Sequence, residues 1–337
     1  MKPSLSPDPS AVSAFSIGFD PRDADRVAGM WREVLATQRW IEGPFTERFE
    51  SLWKQWNGLE SVAMGTWSGA ALAALEYFKV KGKTVLCPSN TFMATPLSAV
   101  KAGAQVRFYD CNREDLCGSF EDFVLKAEAH PPAAAWLVHI GGHIAFDAPK
   151  IAGYCREKGI PLLEDCAHAH GAQWNGRRPG SWGDAGVYSF TATKTISTGE
   201  GGMLVTRHPE LATFARSYRN YGKPDHAVEG LNFRMNEFQS ALGVVQTERL
   251  EEIVRWKNET ARRRLDPLHP NRLKLPEGMT SGLYKYIVFE PVAPSTGKVY
   301  DQPCHRIMKH PVELPNSDWV SKNHWCVPLY YHPEAAE

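Results

Sequence analysis

The sequence predicts an α/β fold with a mainly parallel central sheet, on three observations. Between about residues 60 and 206, short apolar runs alternate with segments of helical period. Each of the first four runs is followed by a helical segment long enough for a right-handed crossover to a parallel neighbour. Apolar residues fill 43% of the 337 positions, enough for a sizeable buried core.

In order, the first strand is SVAM (61–64), followed by the Ala-rich helical segment GAALAALEYFKV (69–80). TVLCP (84–88) leads to ATPLSAVKAG (94–103), and QVRFYD (105–110) to SFEDFVLKAEAH (119–130). AAWLVHI (134–140) leads to APKIAGYCREKG (148–159), and PLLEDC (161–166), GVYSF (186–190) and GGMLVT (201–206) complete the strands. From about residue 234 the apolar positions recur at three and four residues, predicting one long helix over 235–265 that bridges to a smaller C-terminal part. Beyond it, LYKYIVFEP (283–291) reads as a strand. The chain thus divides into an N-terminal arm (1–30), its first ten or so residues rich in Pro and Ser, a large domain (31–245) and a small α+β domain (246–337).

Lys plus Arg and Asp plus Glu stand at 38 each, so the chain carries no basic field suited to nucleic acid. Seven scattered cysteines, an odd number without a Cys-x-x-Cys pair, fit a reducing cytoplasm rather than a disulfide framework or a zinc finger. Pro and Ser interrupt the N-terminus where a secretory signal needs an apolar core, and no run reaches membrane-spanning length.

The stretch PLLEDCAHAHGA (161–172) gathers Glu164, Asp165, Cys166, His168 and His170. His, Cys and carboxylate are metal ligands, with His139 and His143 of HIGGH as possible partners, so a metal-dependent hydrolase is one reading. The other comes from downstream, where GSWGDAGVYSFTATKTISTGEGGMLVT places Lys194 in a loop between two strands. Taken alone, Asp165 reads as a turn or helix-cap aspartate and Lys194 as a solvated surface lysine, so it is the motifs around them that decide.

The run from Glu164 to Thr206 resembles the sugar aminotransferases of the DegT/DnrJ/EryC1/StrS family, as do GPFTERFE, PSNTFMAT, AGAQVRFYD and NFRMNEFQSALG. The resemblance implies the three-layer fold type I of the pyridoxal 5′-phosphate transferases. It makes Asp165 the partner of the ring nitrogen and Lys194 the covalent anchor and proton carrier. Gly65 and Thr66, before an Ala-rich helix, offer amides to the phosphate. Ser189 matches the phosphate-binding serine, and Phe92 the aromatic residue stacked on the ring. His168 stands where many members carry Gln near the phenolic oxygen. Asn232 matches the residue that crosses to the phosphate of a neighbouring subunit, implying a homodimer with shared sites. With the cofactor site placed there, no metal is expected. Strand alternation turns Glu164 and Cys166 away from the ring, and His170 packs or caps locally. His139 and His143 serve a turn, and the glycines of STGEGG a tight return to the next strand, with no role derivable for Glu200.

The region after YIVFEP is short for the family, either reduced or truncated. Within it, STGKVYDQPCHRIM offers Lys298, Tyr300 and His305 as contacts to a nucleotide or sugar, or is merely a structural loop. The resemblance implies amino transfer from L-glutamate to a nucleotide-linked keto sugar. A non-sugar ketone such as a cyclitol or shikimate-like ring is the alternative acceptor, and a non-catalytic regulator the alternative from another class.

Overall fold

The computed structural model describes residues 19–332, so the expected N-terminal arm lies outside the described residues as far as residue 18. In chain order the strands are β1 (Glu60–Met64), β2 (Thr84–Pro88), β3 (Gln105–Tyr109), β4 (Ala134–Val138), β5 (Leu162–Asp165), β6 (Gln173–Trp174), β7 (Ala185–Ser189), β8 (Gly202–Thr206), β9 (Met279–Thr280), β10 (Tyr286–Val288) and β11 (Trp325–Val327). The helices are α1 (Ala24–Thr37), α2 (Pro44–Asn57), α3 (Trp67–Tyr77), α4 (Ala94–Lys101), α5 (Phe120–Ala129), α6 (Ala148–Lys158), α7 (Pro209–Tyr218), α8 (Glu237–Thr260), α9 (Cys304–Ile307) and α10 (Pro315–Val320).

The seven apolar runs form one seven-stranded sheet in the order β1-β8-β7-β5-β4-β2-β3. Every pair is parallel except those of β8, which runs against both β1 and β7. This reversal is not readable from periodicity, because a strand buried on both faces shows the same apolar run in either direction. It follows from chain length: the link between β7 and β8 has no crossover helix, so the chain can only turn back.

Strand alternation sorts the sheet's side chains into two cores. On β4, Ala134 and Trp136 join the cluster packed by the Ala-rich α3 and by α7, whereas Ala135 and Leu137 join the one packed by α5 and α6. On β7 and β8, Tyr188, Met203 and Val205 share that second side of the sheet, where α2 and α8 cover them. The result is three layers: helices, sheet, helices. Trp53 of α2 is fully buried there, edge-on to Phe49, Tyr188 and Phe190.

α8 begins with a capping box, Asn236 accepting from the Gln239 amide while Gln239 reaches back to the Asn236 amide. The helical reading of 235–265 holds, but its last turn, Ala261–Leu265, widens to a π-helix. Next to the cap, the buried Glu237 carboxylate leaves its own helix to receive the N-terminus of α2. It accepts from the amides of Gly43 (3.0 Å), Phe45 (2.8 Å) and Thr46 (3.1 Å), and from the Thr46 hydroxyl. An anion at the positive end of a helix dipole satisfies amides that have no acceptor inside their own helix. Glu237→Ala leaves these donors unpaired, and a stability loss of about 3–5 kcal/mol is expected in urea unfolding. A loss under about 1 kcal/mol would show that the carboxylate does not tie the two helices together.

Candidate active site

β5 ends at Asp165, on the side of the sheet opposite Glu164. The Asp165 carboxylate is 5% exposed and takes three donors. The indole of Trp67 gives its N–H to Oδ1 at 3.1 Å, the Ala167 amide gives to Oδ1 at 3.0 Å, and the Thr95 hydroxyl gives to Oδ2 at 2.8 Å. A carboxylate has about four acceptor positions, so one stays open on Oδ2. Burial raises the Asp165 pKa, and the Ala167 and Thr95 hydrogen bonds and the nearby Lys194 pull against that rise. An N–H cation at the open position completes the set, and a protonated pyridine nitrogen is such a group.

Lys194 is mounted in the loop between β7 and β8. Burial lowers its amine to about 8; Asp165 opposes this and the Lys285 cation adds to it. The amine lies 4.9 Å from the centre of the Tyr284 ring. Tyr284 reaches this place because of the turn in HIGGH. Gly142 has φ +112°, and a Cβ there would come within 2.7 Å of the amides of Leu283 and Tyr284. The returning chain docks on that turn, the Gly282 amide giving to the Gly142 carbonyl and the Lys285 amide to the Gly141 carbonyl, both at 2.8 Å.

The His168 ring lies against Tyr284 at 4.2 Å and parallel to Tyr300 at 5.8 Å. Its Nδ1 accepts from the Gly141 amide at 3.4 Å, which leaves the proton on Nε2, and burial keeps the ring neutral. Gly65 directs its amide to the Phe233 carbonyl, so the amides left at this helix end are those of Thr66, Trp67 and Ser68. The Thr66 hydroxyl caps the helix through the Gly69 amide, at 3.1 Å. Ser189 is buried at the end of β7, its oxygen accepting from the Thr191 amide. Phe92 is 64% exposed in the loop just before α4, the helix whose Thr95 gives its hydroxyl to Asp165. Asn232 is exposed, its chain bridged to Asn220 and its side chain receiving the Arg234 amide.

The other residues of the cluster at 164–170, and the histidines of HIGGH, are engaged elsewhere. Glu164, His139 and Cys166 bring potential metal-binding atoms within 4.8 Å of one another. However, the Glu164 carboxylate already takes the amides of Gly180 (2.7 Å) and Gly183 (2.6 Å) and the His139 Nε2–H (2.8 Å). The Ala145 amide gives to His139 Nδ1, which places the imidazole proton on the Glu164 side. His170 packs edge-on among Trp53, Tyr188 and Phe190. In the C-terminal segment, Lys298 lies over Trp325 and His305 is buried against the Ser89 hydroxyl, so both serve the structure. Trp67, Thr95 and Tyr284 went unnoticed in the sequence. Thr95 stands inside the quoted PSNTFMAT and Trp67 directly after Thr66, but nothing local marks either as a donor to a distant acid.

The strand order with its single reversed strand, and the acid and lysine at the sheet's end, define the fold type I of the pyridoxal phosphate transferases. The chain belongs to the DegT/DnrJ/EryC1/StrS aminotransferase family, whose pattern matches residues 21–282. It is 32% identical over 233 residues to the GDP-perosamine synthase of Vibrio cholerae, covering 66% of this chain and 62% of that protein. Thus it spans under two thirds of that relative's length. It is 31% identical to the dTDP-4-dehydro-2,3,6-trideoxy-D-glucose 4-aminotransferase of Saccharopolyspora spinosa, covering 76% of this chain and 73% of that one. Among solved structures, the aminotransferase TlmJ of Streptoalloteichus hindustanus superposes with a TM-score of 0.82 at 28% identity, over 94% of this chain and 93% of that one.

The depressed amine has a consequence for stability. With Lys194 near 8 when folded and 10.5 as its ordinary value, the unfolded chain holds the extra proton between these values. This group's contribution to stability therefore rises with pH across that window. Cofactor-free Lys194→Met is expected to be more stable than the parent at pH 7, with the advantage shrinking from pH 8 to about 10. Urea unfolding at a series of pH values measures it; a pH-independent difference contradicts a depressed amine.

Proposed function

We propose that this chain is a pyridoxal 5′-phosphate-dependent aminotransferase that moves an amino group from L-glutamate to a keto sugar carried on a nucleotide. The observation that carries the reading is the buried Asp165 carboxylate with one acceptor position open, in electrostatic reach of the lowered Lys194 amine. Bound there, pyridoxal phosphate supplies an electron sink for the substrate C–H bond that is broken. Asp165 holds the proton at the pyridine nitrogen, and Trp67 and Thr95 keep the carboxylate in place. Lys194 holds the cofactor through its amine and, once released, carries the proton to and from the substrate carbon. A value of about 8 leaves part of this amine free of its proton at neutral pH.

His168 presents its Nε2–H to the phenolic oxygen, and Phe92 covers one face of the ring. Ser189, Thr66 and the amides opening α3 take the phosphate. Asn232, exposed on its own chain, completes the phosphate site of a second copy, making the working unit a homodimer. The sugar substrate is supported by the relatives, which are named for GDP-perosamine and for a dTDP-linked keto sugar. A cytoplasmic location is supported by the cysteines, all seven of them free and buried. Among the described residues, no helix is long and apolar enough to cross a membrane.

Borohydride reduction of the cofactor-loaded protein, followed by peptide mapping, is expected to find the pyridoxyl group on Lys194; a label on another lysine overturns the assignment. Asp165→Asn should retain the fold and lose on the order of 100-fold or more in turnover with glutamate. For the shared site, inactive Lys194→Ala chains are mixed with inactive Asn232→Asp chains. A mixed dimer places both lesions in one site and leaves the other whole, so part of the activity is expected to return. Verified mixed dimers that stay inactive refute sharing.

A further inference from the structure

Beside Lys194 lies a second group of amines to which no role has been given so far. A small cavity is lined by Lys194, Lys257 and Lys285, by Thr193, Thr195 and Thr296, and by Tyr284 and the segment Val327–Tyr330. Lys257 arrives from the last turn of α8, whereas Lys285 is pinned through its amide by the HIGGH turn. The Lys285 and Lys194 amines lie 5.1 and 4.9 Å from the centre of the same Tyr284 ring. Among the described residues, no Asp or Glu lines this cavity.

Its hydrogen-bonding capacity is largely unspent. The Lys257 amine, 6% exposed, gives one hydrogen bond, to the Leu283 carbonyl at 3.2 Å. The Thr195 hydroxyl is 3% exposed and has no partner among the described residues. Buried donors of this kind are costly to leave unpaired, and Lys257 and Lys285 line one space that holds no Asp or Glu of its own, so their charges repel. An anion relieves both problems. The space is about 30 Å³, room for roughly two water-sized groups, which suits the two oxygens of a carboxylate and not a sugar ring.

We infer that this cavity binds the α-carboxylate of the amino donor, with Lys257 and Lys285 as charged donors and Thr195 as a neutral one. The inference rests on the transaminase reading, which puts the donor's reacting carbon at the Lys194 amine. The α-carboxylate is bonded to that carbon, so a carboxylate site must adjoin the lysine. Burial, and after it the Lys285 cation, lower Lys257 to about 8; a bound carboxylate opposes both and favours the charged amine. Lys285 also lines the larger neighbouring cavity with Arg255, Arg262 and Arg272, so the diphosphate of a nucleotide is the rival anion for it.

The test uses cofactor-loaded protein with glutarate, which has carboxylates and no amine, and inorganic pyrophosphate as the diphosphate probe, both by titration calorimetry. The parent is expected to bind glutarate. Lys257→Met and Lys285→Met should each weaken it roughly 10- to 100-fold, and Thr195→Val a few-fold, with pyrophosphate binding changed less than about threefold. Lys285 is only partly buried, so its variant keeps the test decisive if Lys257→Met does not fold. Glutarate binding that is absent from the parent, or unchanged in the folded lysine variants, overturns the site. Loss of pyrophosphate binding with glutarate retained assigns the amines to a diphosphate and overturns it as well. Failure of the transaminase reading shows separately, as a parent that takes an amino group from no amino acid even where glutarate binding depends on the lysines.

Discussion

Everything around the site answers to one constraint, a carboxylate taken out of water at the end of a central strand. Asp165 is acceptable there only because three segments bring it donors: Trp67 from the first turn of α3, Thr95 from α4, and the amide of Ala167 from the turn that follows β5. The same contacts set the spacing of those helices over the sheet. Trp67 does so twice, sharing its N–H between Asp165 and the Val187 carbonyl of the next strand. A helix N-terminus, a strand end and an acid are thereby held in one rigid arrangement, the condition for positioning a flat charged ligand.

Lys194 is positioned by different means. It sits on a loop, and its surroundings come from residues far along the chain. The turn at Gly142 accepts the segment carrying Tyr284 and Lys285, so the amine is desolvated by an aromatic ring and opposed by a second cation. The acid and the lysine are thus tuned in opposite senses by one burial: the acid is raised and the amine lowered, and each partly offsets the other's shift.

Much of this was legible in the residues. The seven sheet strands were marked by apolar runs, and the acid and lysine by the motifs that enclose them. Alternation along β5 placed Asp165 and Glu164 on opposite faces. What stayed hidden was whatever depends on distant pairing. GPFTERFE and NFRMNEFQSALG were visible as separate blocks, but not that Glu237 of the second closes the helix begun by the first. Trp67 and Thr95 are ordinary helix-start residues until Asp165 is folded against them. The reversal of β8 leaves no mark on its composition, and Tyr284 belongs to a segment whose place is set by a turn more than a hundred residues earlier.

That reversal has a consequence for how the protein is made. β1 pairs within the sheet with β8 alone, in a register running from Glu60 opposite Thr206 to Met64 opposite Gly202. During synthesis the strands from β2 to β7 can zip together as they emerge, whereas β1 must wait, unpaired, until residue 206 has left the ribosome. Long-range pairing of this kind is slow, because a large loop is closed before the contact repays it. The close approach of Gly202 to the Thr66 carbonyl shows what the wait delays: the start of α3 is seated only when β8 arrives. The opening turn of α3 is therefore made early and fixed late, after every strand of the central sheet has emerged.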